Sequence, residues 1–129
     1  MPSWTEIQEF ARSKYVLARD EEHWFSLTFG FNDGRSQLIR VRRFNAFDEE
    51  WIEFVSVICK GDEMAPKVAL KKNAEMTIGA LALDDDDDDV LIHNAPLSMM
   101  DIEDFERPLH VIARHADQLE QQYSGGDKW

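Results

Sequence analysis

Phe25-Ser26-Leu27-Thr28-Phe29-Gly30-Phe31-Asn32-Asp33-Gly34-Arg35-Ser36-Gln37-Leu38-Ile39-Arg40-Val41-Arg42-Arg43 is the stretch that decides the fold. Phe25, Leu27, Phe29 and Phe31 recur at every second position, the period of a strand whose successive side chains point to opposite faces. Asn32-Asp33-Gly34 follows, a set of residues that tolerates positive φ in a turn. Gln37, Ile39, Val41 and Arg43 then alternate again. Antiparallel pairing through the turn sets Phe29 opposite Ile39 and Leu27 opposite Val41. A second loop at residues 45–50 leads into a strand over residues 51–59, where pairing sets Val41 opposite Phe54, Ile39 opposite Ser56 and Arg42 opposite Glu53. Both registers place Phe25, Leu27, Phe29, Ile39, Val41, Phe54 and Ile58 on one face, which predicts a three-stranded antiparallel meander.

Upstream, Ser3-Trp4-Thr5-Glu6 reads as a capping box, and Trp4, Ile7, Phe10 and Ala11 form a helical stripe to about Lys14. Residues 15–20 suit a short extended segment. Downstream of Gly61, Met64, Val68 and Ala69 mark a short helix to about Asn73, with Pro66 in its first turn. Residues 76–83 and 90–95 read as two further strands. Between them the six aspartates 84–89 read as an extended hairpin loop, because aspartate is a poor strand former and like charges repel. Phe105, Leu109, Ile112, Ala116, Leu119 and Tyr123 then step by four and three, predicting a long amphipathic helix that starts at Ser98 or Asp101. Pro108 is expected to kink it slightly on its solvent side. Ser124-Gly125-Gly126 ends it, and residues 124–129 are expected to fray. The reading is a single domain over residues 1–129: an α+β two-layer sandwich of order α-βββ-α-ββ-α, with helices covering the apolar face of an antiparallel sheet.

Composition narrows the function classes. The 129 residues are 43% hydrophobic and 11% aromatic, so the chain can build a core. Twenty-six acidic and 14 basic side chains give a formal charge of −12. A surface this acidic repels phosphate backbones and anionic lipid heads, which disfavours nucleic acid and membrane surfaces as partners and leaves a polypeptide partner open. Cys59 is the only cysteine, which suits a reducing cytoplasm. Residues 1–4 have neither the basic flank nor the apolar stretch of a signal peptide, and no apolar run is long enough to span a bilayer.

Asp84, Asp86 and Asp88 can attract cations weakly and without specificity, but the run lacks the spaced ligands, glycine and distal glutamate of a calcium loop, so a solvated loop is the better reading. His23, His93, His110 and His115 show no metal-ligand spacing, and no cofactor or metal is expected. Cys59 is read as a buried strand-end residue rather than a nucleophile, because no activating base accompanies it. No phosphate loop, dinucleotide or nucleophile-elbow glycine pattern occurs, so a non-enzymatic domain is expected, with an enzyme whose active site carries no recognised motif as the lesser alternative. Of the basic cluster Arg35, Arg40, Arg42 and Arg43, cross-strand pairing of Arg42 with Glu53 is the simplest account. The second sheet face should carry Trp24, Ser26, Thr28, Arg40, Arg42 and Glu53, together with Leu38, Trp51, Val55 and Val57, the last four as a partner or dimer face. The competing possibility is that a helix or loop covers it.

The order of elements in a small acidic chain resembles the type III secretion chaperone fold and its non-secretion relative, the YbjN family. Residues 70–73 resemble the leucine and asparagine that end that fold's middle helix. Residues 78–83 resemble its small-residue strand, residues 90–92 with Pro96-Leu97 the next strand and its exit, and residues 116–120 the alanine-aspartate stretch of the last helix. In the first half, residues 37–43 and 51–56 look more like YbjN. The resemblance spans roughly residues 4–120. It implies a cytoplasmic, homodimeric, non-enzymatic chaperone or adaptor that binds an extended polypeptide client, or a YbjN-like regulatory domain with no secreted client. The aspartate run departs from the family pattern, and fold does not fix function.

Overall fold

The computed structural model describes residues 2–124. Helix α1 (Trp4–Lys14) starts at the expected capping box: the Glu6 amide donates to Ser3 Oγ at 3.2 Å, and the Ser3 amide faces Glu6 Oε1 at 3.5 Å. The chain continues through β1 (Leu17–Asp20), β2 (Trp24–Gly30), β3 (Ser36–Ala46) and β4 (Glu49–Lys60). Helix α2 (Pro66–Asn73) leads to β5 (Ala80–Leu83) and β6 (Asp88–Pro96), and a short 3-10 turn (Leu97–Met99) precedes α3 (Ile102–Tyr123). The six strands form one antiparallel sheet in the order β1-β2-β3-β4-β6-β5.

The shared apolar face expected from the strand period is the core. Phe25, Leu27, Ile39, Val41, Phe54 and Ile58 are buried, and Phe29 is half-buried. Burying an aromatic or aliphatic side chain of this size contributes about 1.5–3 kcal/mol. Trp4 of α1 stacks on Phe25 at 5.6 Å, and Phe105 of α3 meets both Phe25 and Phe54 at 6.4 and 5.8 Å. Helices α1 and α3 therefore cover this face, giving the two-layer α+β sandwich. Helix α2 lies beside α3, with Lys72 Nζ 5.4 Å from the Tyr123 ring centre.

Several local expectations are corrected. In the first hairpin Phe29 faces Gln37 and Leu27 faces Ile39, a slip of two residues from the predicted register. A five-residue connection, Phe31 to Arg35 with Gly34 at φ +84°, replaces the tighter turn. A slip of two preserves facing, which is why the core set survived. In the second hairpin Val41 faces Phe54 and Arg42 faces Glu53, as expected. Its loop is shorter than residues 45–50, however: the strands run on to a two-residue turn of Phe47 and Asp48, both at positive φ. The strand expected over 76–83 is confined to Ala80–Leu83. Of the two starts expected for α3, Ser98 or Asp101, it is Asp101 that caps the helix, because the Asp101 and Asp104 carboxylates cap each other's backbone amides. Pro108 is buried rather than on the solvent side. Lacking an N–H to satisfy, its ring packs as an apolar residue. Of residues 124–129, expected to fray, Ser124 is held as the cap of α3, its amide and hydroxyl both donating to the Glu120 carbonyl at 2.8 and 2.9 Å, and residues 125–129 lie outside the described residues.

Two residues that carried the resemblance have a defined role. The Asn73 amide pairs with the backbone of Leu81, accepting from its N–H at 2.6 Å and donating to its carbonyl at 3.2 Å. This ties α2 to the edge strand. Gly79 has φ +91°, and a Cβ there would meet Ile112 Cδ1 at 2.8 Å, so the segment entering β5 requires a residue without a side chain.

Candidate functional site on the open face of the sheet

Strand pairing builds one row across the whole sheet on the face opposite the helices. Arg19 pairs with Ser26, Ser26 with Arg40, Arg40 with Val55, Val55 with Ile92, and Ile92 with Ala80. Val57 stands one pleat beyond Val55, beside Val90. A groove of about 420 Å³ crosses this face, lined by strand and turn residues alone. Leu38, Val55 and Val57 form its apolar floor, Trp24 and Arg40 flank it, and Asp84, Asp86 and Asp88 rise at one end. Leu38 is 42% exposed, and Val55 and Val57 are half-buried.

The structure thus brings together three of the four residues singled out as a partner face and leaves Trp51 apart. Trp51 sits further along β4, where its indole N–H donates to the Ala46 carbonyl at 2.8 Å and its ring stacks on Phe44 at 6.4 Å. The Arg42 guanidinium lies over Phe44 at 4.8 Å and forks onto Glu53 at 2.6 and 3.0 Å. Sequence reasoning missed Arg19, whose place on the face depends on the short edge pairing of β1, and missed the aspartates as part of the site.

The aspartate run is solvated over Asp85, Asp86 and Asp87, as expected, but it is not extended, and its last two residues are not part of a loop. Residues 84–87 form a compact turn, and Asp88 and Asp89 already belong to β6 and are buried. Asp84 Oδ1 accepts the amides of Asp86 and Asp88 at 3.0 and 2.9 Å, so one carboxylate holds the turn together. Asp87 takes φ +60°, and its carbonyl accepts from the Gly61 amide at 2.8 Å, anchoring the turn to the end of β4. Asp88 is 7% exposed; the Lys60 ammonium lies 3.3 Å from Asp88 Oδ1, which accepts no hydrogen bond. Asp89 turns to the core side, where Cys59 Sγ lies 3.5 Å from its Oδ2. No group of acids, histidines and cysteine able to hold a metal ion occurs among the described residues.

Cys59, His93 and His115 are taken up in packing, whereas the His23 and His110 side chains are exposed. Burial, reinforced by Asp89, pushes the Cys59 thiol up to about 12, which leaves it protonated and unreactive near neutral pH. His93 packs against Phe54 at 6.1 Å, and burial holds its pKa below the ordinary value. His115 is lowered by burial and then by Lys72. The Tyr15 hydroxyl donates to Glu106 Oε2 at 2.7 Å, and Lys14, Tyr15 and His110 close one network between α1 and α3. Arg35 reaches from the first hairpin to Asp117 and Glu120 of α3. Among the described residues no helix is long and apolar enough to cross a membrane.

No family model matches the chain, and no curated protein matches it in sequence. Several solved structures share its shape. A chain of the HopA1–SchA chaperone–effector complex superposes with a TM-score of 0.64 at 10% identity over 91% of each chain. A chain of the ExsC–ExsE complex gives 0.58 at 16% identity, over 91% of this chain and 90% of that one. A chain of the heterodimeric ExoU–SpcU complex from the type III secretion system of Pseudomonas aeruginosa gives 0.57 at 15% identity, over 90% and 95%. The sandwich is therefore the fold expected from the resemblance, type III secretion chaperone-like, and at these identities the likeness is one of fold.

Proposed function

We propose that the domain is a non-enzymatic, chaperone-like module that docks a polypeptide on the open face of its sheet, and that it works as a cytoplasmic homodimer. The observation that carries this reading is the groove on an uncovered sheet face, with a partly exposed apolar floor of Leu38, Val55 and Val57 and charged walls. An apolar strip rimmed by polar groups on a water-exposed face is the usual mark of a protein interface. The fold is also seen in a complex described as chaperone with effector. The raised Cys59 thiol and the packed His93 and His115 supply no activated nucleophile, which supports a binding rather than a catalytic role. A YbjN-like regulatory domain with no secreted client is the second reading, favoured by residues 37–43 and 51–56, which form the central β3–β4 pair.

Affinity capture tests the reading. The tagged chain and its Val57→Asp variant are passed through lysate of the source organism, and the eluates are compared by quantitative mass spectrometry. One protein enriched by the parent and lost with the variant supports docking on this face. Equal enrichment by both counts against it. Light scattering reports the dimer as twice the 15.0 kDa chain mass.

A further inference from the structure

Resting on the open face as the docking surface, we propose that the groove selects an extended polypeptide segment in which a lysine or arginine stands two residues from an apolar side chain. The apolar side chain settles on Leu38 and Val55, and the cation reaches the aspartate turn. Three observations carry this. First, opposite charges line one groove without meeting: Arg40 forms no ion pair among the described residues, although Asp84, Asp86 and Asp88 line the same groove. Arg19, by contrast, is held by Glu21 at 2.9 Å and lies over the Trp24 ring at 5.4 Å. Second, Asp86 makes no side-chain hydrogen bond or ion pair among the described residues, and Asp84 spends one oxygen on its own turn. Third, the spacing fits. Alternate residues of an extended chain lie about 7 Å apart on one side, the separation of Val55 from Val57 along β4. The turn lies beyond Val57, where Lys60 pairs with Asp88.

Competing occupants fit worse. A purely apolar segment would strip water from Asp84 and Asp86 and give them no partner. An acidic segment or a phosphate would face the aspartate wall. A segment carrying a cation two residues from its apolar residue matches the wall, and one with a carboxylate as well also satisfies Arg40. The formal charge of −12 attracts such segments from a distance.

Two fluorescein-labelled peptides test the selection by polarisation: acetyl-Gly-Ser-Leu-Thr-Lys-Thr-Leu-Ser-Gly, and its twin with norleucine in place of lysine. The lysine peptide should bind about 10-fold more tightly at low salt, and the difference should shrink as salt is raised. The pair Asp84→Asn and Asp86→Asn should abolish the difference and leave the norleucine peptide unchanged, because an asparagine at 84 still accepts the two turn amides. Equal affinity for both peptides, or a difference that survives the asparagine variant, overturns the proposal. If Val57→Asp weakens both peptides equally while they bind alike, the docking face stands and the charge selection falls. If neither peptide binds, the proposal is overturned, and an unchanged capture with Val57→Asp then removes the docking face as well.

Discussion

Arg35, in the connection between β2 and β3, places its Nη2 3.2 Å from Glu120 Oε1 on α3, and the Glu120 side chain is wholly buried. Its Nε sits 2.9 Å from Asp117 Oδ1, so one guanidinium joins two carboxylates a turn apart on the helix. The pair fastens the last helix to the first hairpin at the far end from the capping box. Removing one partner of a buried ion pair leaves a desolvated charge and costs about 3–5 kcal/mol. Arg35→Met is expected to fall near the lower figure, because the arginine is partly exposed. Urea unfolding should show a lower midpoint with an unchanged slope, and a shift too small to resolve would show that the contact is incidental.

Stability should fall as pH drops below about 6.5. His93 and His115 are both held below their ordinary value, chiefly by burial. A group whose folded pKa is depressed binds its proton first in the unfolded state, so acid favours unfolding between the unfolded and folded values. Glu106 is depressed as well, mainly by the Lys14 hydrogen bond, but its window lies lower, below the ordinary glutamate range. Urea midpoints measured down from neutral pH should therefore fall first in the histidine window. His93→Phe with His115→Gln should flatten that part of the curve and leave the more acidic part in place.

Cys59 should resist modification in the native state. Its thiol is pushed up to about 12 from an ordinary 9.0, and the residue is fully buried. An aromatic disulfide reagent near pH 8 should label it only after urea unfolding. The same shift carries a stability sign: the unfolded thiol ionises from about pH 9 upward while the folded one keeps its proton. Alkali should therefore weaken the fold from pH 9 toward 12. Fast labelling of the native protein would contradict this placement.

The legible parts of the fold are those set by period. Strand alternation identified the inward face because a parity error would have turned Phe25, Val41 and Phe54 to solvent. It could not fix the first register, since a slip of two costs no facing, and the choice fell to the conformation of residues 31–35. The aspartate run misled for a related reason. Its charge argued for extension, but Asp84 binding its own turn and Asp88 meeting Lys60 depend on where β4 ends. The groove was half legible: Leu38, Val55 and Val57 follow from alternation, whereas Arg19 and the aspartates arrive through pairings that no local pattern encodes. The Arg35 contacts with Asp117 and Glu120 join residues more than eighty positions apart and left no signal in either segment.

The β3–β4 turn offers a substitution that should stabilise. Phe47 and Asp48 take φ of 53° and 62°, the left-handed pair of a two-residue hairpin turn. That geometry matches the twist of the flanking strands and is best served by Asn-Gly. Phenylalanine is a poor choice for it, because its Cβ crowds the backbone and such strain costs about 1–3 kcal/mol at a residue. Little packing among the described residues repays that cost, as Phe47 is 91% exposed. The turn holds because the strands pair up to Ala46 and Glu49, and because the Trp51 indole clamps the Ala46 carbonyl. Phe47→Asn with Asp48→Gly should therefore raise the melting temperature, with a gain of about 1 kcal/mol. Calorimetry decides it: an unchanged or lower midpoint would mean that the phenylalanine ring contributes to the folded state in spite of its exposure.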